Sequence, residues 1–197
     1  MTGLLIAFEG LDQSGKQTQA EGVVELVRTR RRACRLVSFP DYTTAIGTEI
    51  SKALHGEREY GPDVMQLMYV ANRYERRPEM AAWLEEGTVL VCDRYLASSI
   101  AYGEAQGLDA GWLRDIQRYL KGPDLTILLD IAPETAVQRK AQGRDRYERD
   151  LALLSRVRES YRRQARQDGW LTLNGERTRD EVSRDVVSAI ETLLARP

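Results

Sequence analysis

The chain has 197 residues, 29 basic and 30 acidic side chains, a net charge of −1, one histidine and two cysteines. That length suits one domain with a real core, and the near-neutral charge argues against a general nucleic-acid binder, which would carry a basic excess. Cys34 and Cys92 lie far apart with His55 as the single histidine, so a structural zinc site lacks ligands and a reducing, cytosolic compartment is expected. The apolar run near the start is too short for a signal peptide or a membrane span.

Leu4 to Phe8 reads as a buried strand feeding the turn at Glu9-Gly10. From Thr18 to about Arg32, Ala20, Val23, Val24 and Val27 keep helical spacing, with arginines at the end where they suit the helix dipole. Arg35 to Phe39 is a second strand, closed by Pro40. Pro62 opens a long helix towards Glu86, with Pro78 as a bend point and Gly87 as its stop. Thr88 to Cys92 is a third strand ending at Asp93, and Asp109 caps a helix running to Leu120.

Leu125 to Ile131 makes a fourth strand, and Pro133 starts the next helix. Residues 141–150 break into a charged stretch before a helix resumes to about Arg166. Trp170 to Leu173 is a fifth short strand, and Thr178 with Glu181 forms a capping box before the last helix. Strands alternate with helices, so the expected class is α/β: a five-stranded, mainly parallel sheet with helices on both faces, in one domain over 1–197.

Between the first strand and the first helix stands Gly10-Leu11-Asp12-Gln13-Ser14-Gly15-Lys16, which fits G-x-x-x-x-G-K. In that setting the glycines let backbone N–H groups turn inward, the helix N-terminus adds positive potential, and Lys16 reaches the outer phosphates of a nucleotide. The residue after the lysine is Gln17, where Ser or Thr would offer a hydroxyl to Mg²⁺, and Thr18 follows. Asp93 ends its strand as a second carboxylate near phosphates should, so Asp93, Gln17 and Asp12 are the candidate metal ligands. An N-capping role is the plainer alternative for Asp93.

Several ordered segments together resemble the thymidylate kinase family of P-loop nucleoside monophosphate kinases. They are Phe8-Glu9-Gly10-Leu11-Asp12 with the loop, Ser38-Phe39-Pro40-Asp41-Tyr42, Ala71-Asn72-Arg73-Tyr74-Glu75, Asp93-Arg94-Tyr95 with Ser98, Pro123-Asp124-Leu125 and Arg146-Tyr147-Glu148. The resemblance spans residue 4 to about 175 and implies a P-loop NTPase-type fold with a short lid over about 139–150. It also implies transfer of the ATP γ-phosphate to dTMP, with Mg²⁺, in a cytoplasmic homodimer.

Residue by residue, the resemblance gives ATP the loop from Gly10 to Thr18 and Arg139. It gives dTMP a pocket of Asp12 against the sugar 3′-hydroxyl, Tyr69 stacked on thymine, Arg73 on a thymine carbonyl and Arg94 on the phosphate. Phe39, Ser98, Ser99 and Tyr102 complete it, Tyr102 against a ribose 2′-hydroxyl. Catalytic roles fall on Lys16, Arg94, Asp12 and the lid arginines Arg144, Arg146 and Arg149, since Gln13 stands where some members carry a catalytic arginine. The plain alternatives are core aromatics and a solvated charged loop.

Three rival readings stay open at this point. A deoxynucleoside kinase would need a carboxylate base, and Glu9 sits near the right place, although the Arg73–Arg94 pair suits an acceptor phosphate better. Another pyrimidine monophosphate, such as dUMP, is a second option. A catalytically silent nucleotide-binding regulator is the third, with Gln17 as its sign. For the faces of Met65, Met68 and Trp83, core and dimer seam are both open.

Overall fold

A computed structural model describes residues 3–139 and 150–195. Five strands, β1 (Leu4–Glu9), β2 (Cys34–Ser38), β3 (Val89–Asp93), β4 (Leu125–Asp130) and β5 (Leu171–Asn174), form one sheet in the order β2-β3-β1-β4-β5. Every pairing is parallel, so "mainly parallel" becomes all-parallel. Crossover helices cover both faces, as parallel sheets require. The helices are α1 (Lys16–Thr29), α2 (Ala45–Leu54), α3 (Pro62–Glu85), α4 (Leu96–Ala105), α5 (Ala110–Asp115), α6 (Pro133–Arg139), α7 (Leu151–Asp168) and α8 (Arg179–Leu194).

The two faces follow from the period-2 alternation of strand side chains. Ile6, Phe8, Val89, Val91, Ile127 and Leu129 point into a core with Val23 and Val27 of α1 and Val186 and Ile190 of α8. Leu5, Ala7, Leu90 and Cys92 face the other way, onto Met80 and Leu84 of α3. On that side α4 and α7 pack over Leu128, through Ala97, Ala101, Leu154 and Val157.

Two helices had no counterpart in the sequence reading. α4 has seven of its ten residues buried, so it lacks the wet face that makes helical periodicity visible. α2 carries Gly47, a weak helix former, yet a Cβ there would lie 1.8 Å from the Asp41 carbonyl oxygen. α2 starts at Thr44, whose side chain accepts from the Gly47 N–H. The helix expected from Asp109 to Leu120 stops at Asp115, because hydrogen bonds there switch to tighter i→i−3 closures from Gln117, Arg118 and Leu120. Pro78 sits inside an unbroken α3. Met65 is fully buried against Ile50 and Ala53, which assigns it to the core.

The strand order places the C-terminal ends of β1, β3 and β4 side by side. Loops leaving these ends carry the phosphate loop and the Asp93-Arg94 turn, the usual position of a ligand crevice in a parallel sheet.

Candidate active site

The loop after β1 is held open by backbone geometry that only its sequence permits. Gly10 has φ 139° and a Cβ on it would lie 2.4 Å from the Leu129 carbonyl oxygen, so the loop abuts β4 without room for a side chain. α1 then begins with Gly15 at its N-cap, in the left-handed region, with no side chain capping the helix and no acidic residue in its first turn. The caps of α2, α7 and α8 are instead satisfied by Thr44, Asp150 and Thr178. An uncapped helix start beneath an inward-curled loop is an anion site.

Lys16 is buried and its Nζ donates to the Leu11 carbonyl at 2.7 Å, across the loop. Burial, helped by the nearby charge of Arg94, pulls its ammonium from 10.5 down to about 8, against the opposing pull of Asp12, Asp93 and Glu9. Arg139 donates to the Gln13 carbonyl and to the Gly175 carbonyl, each at 3.1 Å. The turn after β5 thus borders the loop, which no sequence signal announced.

Asp93 ends β3, and its Oδ1 is buried without a hydrogen-bond partner among the described residues. An unsatisfied carboxylate oxygen beside Lys16 fits a cation bound with the nucleotide phosphates. The described residues hold no cluster of three or more His, Cys, Asp or Glu, so phosphates and water would supply the remaining ligands, as is usual for Mg²⁺. Gln17 does not join this set: it is exposed on α1 and donates to Glu21 at 2.9 Å. Position 17 lies about 100° around the helix from Lys16, which turns it outward. Asp12 is also directed elsewhere, since Arg94 Nη2 donates to its Oδ1 at 2.7 Å and the Tyr102 hydroxyl to its Oδ2 at 3.4 Å. Of the three expected metal ligands, the geometry keeps Asp93.

Arg94 has φ 65°, uncommon for a residue with a side chain and frequent at functional turns. Its N–H donates to the Phe8 carbonyl at 3.0 Å, locking the turn against β1. Its Nη1 donates to the Gly10 carbonyl at 3.1 Å, the Ser98 hydroxyl at 3.3 Å and the Tyr161 hydroxyl at 3.1 Å. Burial opposes its charge, but Asp12, Tyr102 and Tyr161 together outweigh that and hold the group firmly protonated.

Beside it opens a cavity lined by both polar and aromatic side chains, the usual make-up of a small-ligand site. It collects all eight residues expected around dTMP: Asp12, Phe39, Tyr69, Arg73, Arg94, Ser98, Ser99 and Tyr102. Arg73 is 3% exposed and donates to the Ser99 hydroxyl at 2.8 Å, with its guanidinium 5.8 Å from the Phe39 ring centre. Burial lowers its pKa against the pull of Glu9, though an arginine stays charged throughout the physiological range. Arg144, Arg146 and Arg149 lie outside the described residues.

Glu9 was weighed as a catalytic base, and its surroundings give it other work. It is fully buried and does not border the cavity. Its carboxylate accepts from the Tyr95 N–H at 2.8 Å, the Ser98 hydroxyl at 2.7 Å and the Tyr161 hydroxyl at 3.2 Å. Tyr161 was missed because on α7 it shares a face with Leu154 and Val157 and reads as core. Its hydroxyl ties Glu9, Ser98 and Arg94 into one network. Tyr161→Phe is expected to lower turnover about tenfold and stability by about 1–2 kcal/mol, with ATP affinity unchanged; steady-state kinetics and thermal melts check this.

Comparison with known proteins settles which phosphate-loop family this is. The family model described as thymidylate kinase matches residues 8–186. The chain belongs to the thymidylate kinase family. The thymidylate kinase of Danio rerio is 34% identical, over 98% of this chain and 92% of its own, and that of Schizosaccharomyces pombe 33%, over 97% and 93%. The solved thymidylate kinase of Candida albicans superposes with a TM-score of 0.82 at 29% identity, covering 97% of this chain and 92% of its own. The chain is an ATP-dependent nucleoside monophosphate kinase with the fold of that relative.

Proposed function

We propose that this protein aligns dTMP and the ATP γ-phosphate between Lys16 and Arg94, with Asp12 fixing Arg94. The observation that carries the reading is the juxtaposition of an uncapped helix start, Lys16 and the Arg73–Arg94 cavity on one edge of the sheet. Phosphoryl transfer depends on positioning and charge neutralisation. A phosphate monoester with a second pKa of about 6 is mostly dianionic at neutral pH and is itself the nucleophile. No base is required. Among the described residues the one carboxylate lining the cavity, Asp12, is engaged by Arg94, which disfavours a nucleoside acceptor.

In this reading the loop N–H groups and Lys16 hold the donor phosphates and Arg139 borders the adenosine side. Arg94 grips the acceptor phosphate. Tyr69 and Phe39 hold the base, Arg73 donates to a base carbonyl, and Tyr102 excludes a 2′-hydroxyl. Mg²⁺ held by Asp93 neutralises phosphate charge when bound. A lid arginine, Arg144, Arg146 or Arg149, supplies the cation that Gln13 lacks.

The test is ADP release from ATP and Mg²⁺ with dTMP, dUMP, thymidine or no acceptor. Turnover with dTMP is expected, with thymidine inert. Consumption with thymidine alone would reverse the acceptor assignment, and none with any acceptor would make the protein a silent binder.

We also read residues 1–197 as one domain acting in the cytoplasm as a homodimer. Among the described residues no helix is long and apolar enough to cross a membrane. Cys34 and Cys92 are buried free thiols, and burial pushes Cys34 up to about 11, which suits a reducing compartment. The dimer seam we favour is the outer face of α2 and α3, where Ile46, Val64, Leu67, Met68 and Ala71 line an apolar groove with Leu67 46% exposed. Leu67→Glu is expected to halve the mass measured by light scattering to that of one 22.4 kDa chain.

A further inference from the structure

One polar side chain in the wall of the acceptor cavity has no use in the mechanism above. Gln66 lies on α3 three residues before Tyr69 and seven before Arg73, so the three share one stripe of the helix. It is 1% exposed, and among the described residues neither Nε2 nor Oε1 has a hydrogen-bond partner. Buried amides are almost always paired, and leaving both ends of one unpaired is costly where a leucine or methionine would fill the space without penalty. Gln66 borders the cavity with both amide atoms covered, so a side-chain rotation would bring the unpaired group onto a bound ligand.

We propose that Gln66 is a specificity-determining residue that reads the imide edge of the acceptor base. Its Oε1 accepts from the ring N3–H while Nε2 donates to a flanking carbonyl. The inference rests on the dTMP reading of the cavity and extends it. Arg73 can only donate, so it recognises a carbonyl and cannot receive a ring N–H. The neighbouring serines are occupied, Ser98 by Glu9 and Tyr161 and Ser99 by Arg73. Gln66 brings an acceptor and a donor in one planar group. A cytosine edge reverses the pattern: the carboxamide can flip to match it, but Arg73 would then face an amino group, donor against donor. Arg73 and Gln66 together therefore select an imide.

The experiment compares wild type with Gln66→Leu on dTMP, dCMP and N3-methyl-dTMP, whose ring N–H is replaced. Wild type is expected to prefer dTMP over both analogues by about 10²-fold or more in kcat/KM. Gln66→Leu is expected to lose about 10–100-fold for dTMP, mainly through KM, and to treat dTMP and N3-methyl-dTMP within a few fold of each other. Melting without ligand provides the second reading. Gln66→Leu should melt no lower than wild type, because it deletes an unpaired buried dipole, while the shift produced by dTMP should shrink. An equal loss on all three acceptors, unchanged dTMP kinetics, or a lowered ligand-free melting point with an intact dTMP shift would overturn the proposal. Wild type that binds dTMP by melting shift but fails to phosphorylate it would refute the kinase mechanism instead, and the shift in Gln66→Leu would still decide the role of Gln66.

Discussion

Arg94→Ala should lower kcat/KM for dTMP by about 10²–10³-fold, the usual effect of deleting a charge-stabilising donor, while ATP affinity stays within a few fold of wild type. The guanidinium stands between the Gly10 carbonyl, Asp12 and the cavity, so its loss leaves Asp12 without its 2.7 Å partner and, on the proposed function, the acceptor phosphate without its main cation. Arg94→Gly separates chemistry from folding. Both substitutions remove the cation, but glycine adopts φ 65° freely and should give a protein more stable than Arg94→Ala by about 1 kcal/mol. Initial rates at varied dTMP, ATP titration calorimetry and thermal melts check the three statements. Unchanged turnover at saturating dTMP in both variants would remove Arg94 from the reaction.

Lys16→Met should abolish most donor binding, lowering kcat/KM for ATP by about 10³-fold. A pH dependence follows from the same residue. Its folded pKa of about 8 lies below the 10.5 of an unburied lysine, so between those values the unfolded chain binds more protons than the folded one. Stability from this group therefore rises with pH from about 8 to 10.5, and the full penalty of burying the ammonium is present below 8. Lys16→Met should be more stable than wild type at pH 7 without nucleotide and should lack that rise. Donor phosphates favour the ammonium, so ATP binding takes up a proton near pH 8, and affinity should fall about tenfold between pH 7 and pH 9. Calorimetry in buffers of different ionisation enthalpy reads the proton uptake directly. A pH-independent ATP affinity in wild type would show that Lys16 stays charged without nucleotide.

Much of the architecture was legible in the chain because it is built from local signals. Five apolar runs, helical spacing between them and caps such as Asp109 and Thr178 correspond to observed elements. α4 escaped because burial on all sides erases periodicity, and α2 because tertiary contact makes a virtue of Gly47. In the site, the resemblance named eight side chains that the fold does gather around one cavity. Gln66 and Tyr161 carried no such mark, since a glutamine or tyrosine on an amphipathic helix looks the same whether it faces core or ligand. Gln17 showed the opposite failing: adjacency to Lys16 made it a candidate, and helical rotation took it out of the site.

A balance of −1 argues against a general nucleic-acid binder but does not say where the cations sit: the fold sets several arginines on fixed acceptors, with Arg158 and Arg162 on Asp130 and Arg163 on Glu104. Two, Arg73 and Arg94, are carried into the wall of the cavity. The sequence by itself determined the α/β alternation, the phosphate loop and the family, because hydrophobic period, glycine placement and motif order are properties of neighbouring residues. Only the tertiary structure decided which carboxylate oxygen is buried without a partner among the described residues, which arginines line the cavity and which buried amide borders it unpaired, because pairing and solvent exclusion are set by residues far apart in the chain.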